Sequence, residues 1–311
     1  MSDCLIVSGA AREFAAEILR TADTPVVCEV CTSTSEALAR YSGQSVLFGS
    51  PDMVASILPE LPAVDWVQST WAGVRPLTLI DRRDYVLTGV KEVFGPQISE
   101  YVMGYLLAHE LRVLERMEQQ RMRNWSTTSS GVLQGKRLGV MGTGSIGSHI
   151  AQTARVFGVK VTGLNSTGAP SSEFDEVWPV ARLHDFLDGL DYLVSTLPQT
   201  EGTDNLLDEK ALAKLPSHAY FINVGRGNVV DDTALMDALR NEELGGAALD
   251  VFDEEPIPRD SPLWETPGLS ITAHIAAISH PALIVPIFLE NYSRYCRGEP
   301  LKFVIDLDKG Y

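Results

Sequence analysis

Six residues near the middle of the chain, Gly142-Thr143-Gly144-Ser145-Ile146-Gly147, constrain the fold more than any other stretch. Glycines at this spacing also occur in plain flexible loops, so the flanks decide between the two readings. Before them stands Arg137-Leu138-Gly139-Val140-Met141, which reads as a short buried strand. After them Ile146, Ile150, Ala154 and Phe157 recur on one face of a helix. A strand, a glycine turn and a helix in that order form a cradle for phosphates. Gly142 permits the tight turn, Gly144 lets the backbone approach a pyrophosphate, and Gly147 lets the helix pack on the strand. The helix start at Ser145 and Ile146 presents amides that favour anionic charge. A dinucleotide-binding unit is the first expectation.

A unit of this kind that prefers NAD usually carries Asp or Glu at the end of its second strand, to bind the ribose 2′-hydroxyl. Here the strand 160–164 runs into Asn165-Ser166-Thr167-Gly168. No carboxylate is present to repel a 2′-phosphate, and no Arg is present to grip one. Asn165, Ser166 and Thr167 are expected to line the ribose, with NADP(H) favoured slightly and NAD(H) as the alternative.

Global properties narrow the partners. The chain has 25 Lys and Arg against 41 Asp and Glu, a formal net charge of −16. A nucleic-acid binder needs a cationic footprint, so no nucleic acid is expected. Apolar residues make up 45% of the chain, enough for a sizeable core. The apolar run 282–289 contains Pro286 and falls well short of the roughly 20 residues that a spanning helix needs. With no signal-peptide pattern at the N-terminus and only four cysteines, a cytoplasmic protein without membrane contact is expected. Cys28 and Cys31 form a CxxC inside a strand-like segment, where positions i and i+3 face opposite ways. No further Cys/His pair stands at zinc spacing, so both read as structural thiols and no metal site is assigned.

Along the chain, segments 4–7, 25–31, 45–49 and 65–68 read as strands. Between them 11–20, 35–41 and 51–58 read as helices, the second capped by Ser35 and the third opened by Pro51. One long helix is expected over 97–123. A second strand series follows at 137–141, 160–164, 191–196, 220–224, 246–251 and 269–273, forming a six-strand sheet. Short connections between alternating strands and helices imply parallel sheets covered by helices, an α/β chain with two doubly wound units. Segment 281–297 is helical in pattern despite Pro286, and 301–306 is strand-like. Neither has a place in the second sheet, so the chain is expected to return to the first unit.

Ligands of open parallel sheets bind at the carboxyl ends of the strands. There the sequence places Arg226 between two glycines, Glu254 and Glu255 after the strand 246–251, and His274 after the last one. Each has a plain reading as a helix cap, a solvated acidic loop or a core histidine. Spaced by about one strand–helix–strand repeat, and beside a phosphate loop, they favour chemistry. A ketone that receives a hydride becomes an alkoxide and needs a proton, which His can give near neutral pH. A carboxylate on the other ring nitrogen orients the imidazole, and the planar fork of Arg binds a substrate carboxylate. A 2-oxo acid suits that trio. The residues alone leave Glu254 and Glu255 undecided.

These stretches resemble the D-isomer-specific 2-hydroxyacid dehydrogenase family over nearly the whole chain. The resemblance is carried by Gly142-Thr143-Gly144-Ser145-Ile146-Gly147, Leu197-Pro198-Gln199-Thr200, Asn223-Val224-Gly225-Arg226-Gly227, Asp250-Val251-Phe252 with Glu255-Pro256, and His274-Ile275-Ala276. It implies a Rossmann dinucleotide-binding domain, residues 101–285, inserted into a flavodoxin-like substrate domain, residues 1–100 plus 286–311. It also implies that Glu255, just before the Pro, is the carboxylate partner of His274. Asp250 would contact the nicotinamide end, and Leu197, Pro198, Val224, Gly225 and Ala276 would line the cofactor. Ser69-Thr70-Trp71-Ala72-Gly73-Val74 resembles the loop whose amides hold the substrate carboxylate, which adds Trp71, Ala72 and Gly73 to Arg226 and His274 as substrate contacts. The tail 301–311 resembles the closing segment of the family.

The implied activity is that of an NAD(P)-dependent D-2-hydroxyacid dehydrogenase or 2-oxoacid reductase, a homodimer with hinges near Gln97 and Pro281. The tip at Asn165 resembles the glyoxylate/hydroxypyruvate reductase branch, although it lacks the Arg usual there, and Trp71 is bulkier than the residue usual in its loop. The alternative is a cofactor-sensing binding protein, like the transcriptional corepressors that share the fold.

Overall fold

The computed structural model describes residues 4–23 and 25–307. They form two compact units, one running to Val93 and resuming at Ser279, the other Phe94–Ile278. The first begins with β1 (Cys4–Val7), α1 (Ala11–Thr21), β2 (Cys28–Cys31), α2 (Thr34–Arg40), β3 (Val46–Gly49), α3 (Pro51–Ile57), β4 (Trp66–Ser69), α4 (Arg75–Thr78) and β5 (Val86–Thr88). Its sheet has the order β2-β1-β3-β4-β5, with every pair parallel. That is the flavodoxin-like order. β1, β3 and β4 are buried along their whole length, as parallel strands covered on both faces must be.

Two local expectations change here. β2 starts at Cys28 rather than residue 25. Cys31 is buried, and burial pushes its thiol up to about 11, which suits a structural role. Helix α2 is capped by Ser33, whose Oγ accepts from the Glu36 amide at 3.2 Å, and not by Ser35. The Glu36 carboxylate reaches back to the Thr32 amide at 2.9 Å, a variant of the capping box.

The second unit contains α5 (Gly95–Glu110), α6 (Val113–Arg121), β6 (Arg137–Met141), α7 (Ser145–Val156), β7 (Lys160–Asn165), β8 (Glu176–Pro179), α8 (Leu183–Leu187), β9 (Tyr192–Ser195), α9 (Glu209–Leu212), β10 (Tyr220–Asn223), α10 (Asp232–Arg240), β11 (Gly246–Leu249) and β12 (Leu269–Ile271). Its sheet runs β12-β11-β10-β9-β6-β7-β8 with all pairs parallel, the doubly wound Rossmann order with one strand added. The strand order reverses between β6 and β9, and the glycine turn follows β6 at that point. The sheet has seven strands rather than six, because β8 forms an edge. Its Pro179 and exposed Glu176 disguise it in sequence but are tolerated on an edge strand.

The long helix expected over 97–123 is two helices. Arg112, between α5 and α6, takes a left-handed backbone with φ 52. α5 buries Ile98, Val102 and Leu106, whereas α6 buries nothing. Once the buried stripe ends, no packing holds one continuous axis. Leu114, Met117 and Trp125 of this stretch are exposed.

The chain then returns to the first unit through α11 (Pro281–Cys296). Phe288 of α11 stacks on Phe48, with centroids 4.4 Å apart and rings 4° from parallel, and on Trp66 at 5.7 Å. Pro286 deprives the Ala282 carbonyl of its helical partner, but both residues lie on the exposed face, where that carbonyl is open to solvent. Segment 301–306 forms no strand. It makes one antiparallel bridge, Val304 to Thr88, flanked by bonds from the Ile305 amide to the Leu87 carbonyl and from the Gly89 amide to the Phe303 carbonyl, both 2.9 Å. Residues 308–311 of the closing segment lie outside the described residues.

A buried polar network locks this return. Asn291 of α11 is 0% exposed, and its Nδ2 donates to Gln68 Oε1 and to the Lys302 carbonyl, both at 3.1 Å. Its Oδ1 accepts from the Lys302 amide at 2.8 Å. Gln68 Oε1 also accepts from Thr88 Oγ1 at 2.9 Å, which itself accepts from Trp66 Nε1 at 2.8 Å. Removing Asn291 leaves buried partners unsatisfied, at a cost of about 1–3 kcal/mol. Asn291→Ala is therefore expected to lower the free energy of unfolding by that amount, read as a lower urea midpoint at an unchanged slope, and an unchanged midpoint would remove this network as the anchor.

Candidate active site

The carboxyl edge of the second sheet carries the glycine turn. Gly142 has φ +103, and a Cβ there would sit 2.5 Å from Thr196 Oγ1. A Cβ on Gly147 would lie 1.9 Å from the Gly142 carbonyl oxygen, so only glycine lets α7 start this close to the turn. At Gly144 a Cβ would meet nothing within 4 Å. The backbone there faces open space, as the approach of a pyrophosphate requires. α7, beginning at Ser145 and Ile146, has no side-chain cap, which leaves its first amides to an incoming anion. These features fit a bound dinucleotide.

Next along the edge is the tip of β7. Asn165 donates from Nδ2 to Thr143 Oγ1 at 3.0 Å and to the Ala169 carbonyl at 2.9 Å. Its Oδ1 accepts from the amides of Thr167 at 3.1 Å and Gly168 at 2.7 Å. Asn165 thus ties the tip to the glycine turn, leaving the exposed Ser166 and Thr167 at the surface. Where an NAD-preferring unit would hold a carboxylate, this tip is neutral.

Arg226 leaves β10 between two glycines that close packing demands. A Cβ on Gly225 would lie 2.6 Å from the Leu197 carbonyl, and one on Gly227 would lie 2.0 Å from the Phe252 carbonyl carbon. This brings Gly225 against Thr196 and Leu197 after β9, and Gly227 against the chain leaving β11. Asn223, 0% exposed, shapes the turn: its Nδ2 donates to the Arg226 carbonyl at 2.9 Å and its Oδ1 accepts from the Gly225 amide at 3.1 Å. The guanidinium donates from Nη1 to the Gly225 carbonyl at 2.6 Å and forms no ion pair among the described residues. Burial pushes its pKa down, and the charge of Glu255 partly opposes the shift. A half-buried cation without a counter-ion is a receptor for an anion.

Glu255 and His274 are paired. His274 Nδ1 donates to Glu255 Oε2 at 2.8 Å, while Glu255 Oε1 accepts from the Phe252 amide at 2.9 Å. Nδ1 then carries a proton, and Nε2 is left with no protein partner among the described residues. Glu254 makes no such bond. Asp250, 2% exposed, turns its carboxylate toward the protein: Oδ1 accepts from Thr272 Oγ1 at 2.6 Å and the Ile275 amide at 2.8 Å, and Oδ2 accepts from the Ala276 amide at 2.9 Å. Sequence reasoning did not single out Thr272 or Asn223 as shaping this edge; a buried polar residue beside a strand end was the available signal. No group of three or more His, Cys, Asp or Glu is placed to hold a metal ion among the described residues.

In the first unit, the loop after β4 is braced by Ser69, whose Oγ donates to the Trp71 carbonyl at 2.8 Å and accepts from its amide at 3.0 Å. Trp71 and Ala72 are exposed, and the amides of Ala72 and Gly73 have no acceptor among the described residues. Those amides are the donors that a carboxylate could use.

Comparison with known proteins points one way. Residues 103–276 match the family model described as D-isomer specific 2-hydroxyacid dehydrogenase, NAD binding domain. Glyoxylate/hydroxypyruvate reductase A of Klebsiella pneumoniae strain 342 is 31% identical over 218 residues, 70% of each chain. The crystal structure of a D-isomer specific 2-hydroxyacid dehydrogenase family protein from Aeromonas salmonicida superposes with a TM-score of 0.93 at 38% identity, covering 99% of this chain and all of that one. An NADPH-dependent glyoxylate/hydroxypyruvate reductase from Sinorhizobium meliloti, solved with NADP and sulfate, gives 0.88 at 26% identity, with both chains fully covered.

The glycine geometry separates two substitutions. Gly147→Ala must displace backbone and is expected to cost about 1–3 kcal/mol of stability. Gly144→Ala has room and should stay within about 0.5 kcal/mol of the parent in the absence of ligand. Thermal midpoints of the two variants check this, and equal midpoints would contradict the packing role of Gly147.

Proposed function

The chain belongs to the D-isomer specific 2-hydroxyacid dehydrogenase family, and on that premise we propose that it reduces a small 2-oxo acid to the D-2-hydroxy acid, using NADPH in preference to NADH. One observation carries the reading: an Arg226 guanidinium without a counter-ion and a His274–Glu255 pair with free Nε2 share one sheet edge with a phosphate-binding turn. Arg226 binds the substrate carboxylate and polarises the adjacent carbonyl. A reduced dinucleotide, when bound at the glycine turn, would supply the hydride. His274 Nε2 gives its proton to the developing alkoxide, and Glu255, bonded to Nδ1, holds the ring in its plane.

On the cofactor side, Gly142, Gly144 and Gly147 with the amides at Ser145 and Ile146 hold the pyrophosphate. Leu197, Pro198, Val224, Gly225 and Ala276 line its course. Asn165, Ser166 and Thr167 frame the ribose with neutral groups, which admit a 2′-phosphate that a carboxylate would repel. The relatives solved with NADP support this preference.

Screening NADPH oxidation against glyoxylate, hydroxypyruvate, pyruvate and longer 2-oxo acids tests the reading. His274→Ala is expected to lower kcat by about 10²–10⁴ with cofactor affinity near normal. Arg226→Lys should raise substrate KM and lower kcat, because Lys lacks the planar fork. Full activity in the His274 variant would falsify the assignment. Tight cofactor binding without turnover of any 2-oxo acid would instead indicate a cofactor sensor.

The tip chemistry gives a separate expectation. The ratio of kcat/KM for NADPH over NADH should be roughly tenfold, or ~1.4 kcal/mol. A strong preference for NADH would show that the neutral tip does not govern the choice.

A further inference from the structure

His274 occupies a left-handed backbone, φ 54, which residues other than glycine rarely adopt. The turn must therefore be held by its surroundings, and one residue does most of that. Asp250 receives three consecutive amides: that of His274 on its carbonyl at 2.8 Å, and those of Ile275 and Ala276 on its carboxylate at 2.8 and 2.9 Å. Its fourth donor is the Thr272 hydroxyl at 2.6 Å, and Thr272 Oγ1 lies 2.7 Å from the Tyr101 hydroxyl.

The proton directions in this chain are forced. An ionised Asp250 can only accept, so the Thr272 proton points at Oδ1. Thr272 Oγ1 must then accept from Tyr101, which has to remain a neutral donor. Burial, the largest influence on the Tyr101 hydroxyl, pushes its pKa upward and keeps it so. The Tyr101 ring is fixed against Tyr105, with centroids 4.7 Å apart.

Tyr101 is not the only tie from α5. One turn earlier on the same face, Gln97 takes both backbone groups of Ile278, donating from Nε2 to its carbonyl at 3.1 Å and accepting its amide on Oε1 at 3.0 Å. α5 thus grips the chain on both sides of His274, at Thr272 and at Ile278. We propose that Tyr101 is a positioning residue for His274, holding the left-handed turn in register through Thr272 and Asp250. The inference rests on His274 being the proton donor of the reductase. The chain of hydrogen bonds from Tyr101 sets where Nε2 stands.

The test uses the full-length protein, with glyoxylate and NADPH as the probe pair. Tyr101→Phe keeps the ring and removes one hydroxyl. It is expected to lower kcat by about tenfold, the scale of a small misplacement of a catalytic group, with both KM values within about twofold and a thermal midpoint lowered by no more than one lost hydrogen bond causes. Adding Thr272→Val should lower kcat no further than Thr272→Val alone, since both act through one chain. Thr272→Ser, which keeps the hydroxyl, should restore most of the rate. Wild-type kcat in Tyr101→Phe overturns the inference, as does full additivity, or a fall in midpoint too large for one lost hydrogen bond. Imidazole NMR of His274 reads its position without turnover: the ring signals should shift in Tyr101→Phe, and unchanged signals overturn the positioning role while leaving the reductase reading intact. Absence of 2-oxo acid reduction by the wild-type protein would sink that reading instead, and the NMR comparison would still decide the role of Tyr101.

Discussion

A parallel sheet covered on both faces has no polar surface except at the ends of its strands, and the chemistry of this protein follows from that constraint. β6, β9, β10 and β11 are apolar almost throughout because each of their faces is buried. Polar groups gather where the strands stop: the glycine turn after β6, Arg226 after β10, Glu255 after β11 and His274 after β12. The same crowding explains the glycines beside Arg226. The turn after β10 is pressed against backbone leaving its neighbours on either side, and any side chain at residue 225 or 227 would collide with it.

This arrangement also reconciles an acidic chain with anionic ligands. A net charge of −16 is a property of the surface, whereas the anion receptors are local. Helix and loop amides carry no net charge, and Arg226 is partly withdrawn from water, which strengthens its field over a short range. Leaving a guanidinium half-buried and unpaired is unfavourable in the absence of ligand. Such a cost belongs to a functional site rather than to the fold.

The parts of this protein that could be read from sequence are those governed by local rules. The glycine turn was legible because its steric needs act within six residues, and Arg226, His274 and the pair Glu254 and Glu255 were legible because strand ends recur at a fixed spacing, with the choice of Glu255 resting on the family resemblance. The break at Arg112 was not, because the apolar pattern continues past it and only the end of burial on α5 reveals it. β8 was hidden by Pro179, which an interior strand would reject and an edge accepts. Ser35 reads as the cap from sequence, whereas the reach of Glu36 back to Thr32 sets the start of α2 at Ser33. Asp250 carries a family signature, yet its sequence gives no hint that its oxygens face inward to the turn of His274. Tyr101 reads as one more position on an amphipathic helix, and its hydroxyl acquires a partner only when residue 272, far along the chain, is folded beside it.

The return of α11 has a consequence for how the protein is made. The aromatic stack of the first unit joins Phe48 and Trp66, from the opening of the chain, to Phe288 near its end. A ribosome emits those residues in order, so the first strands leave the exit tunnel long before their covering helix exists. The second unit lies entirely between them and closes on itself. The later-synthesised sheet can therefore reach its final packing first, while the earlier one waits with an open face for its last helix.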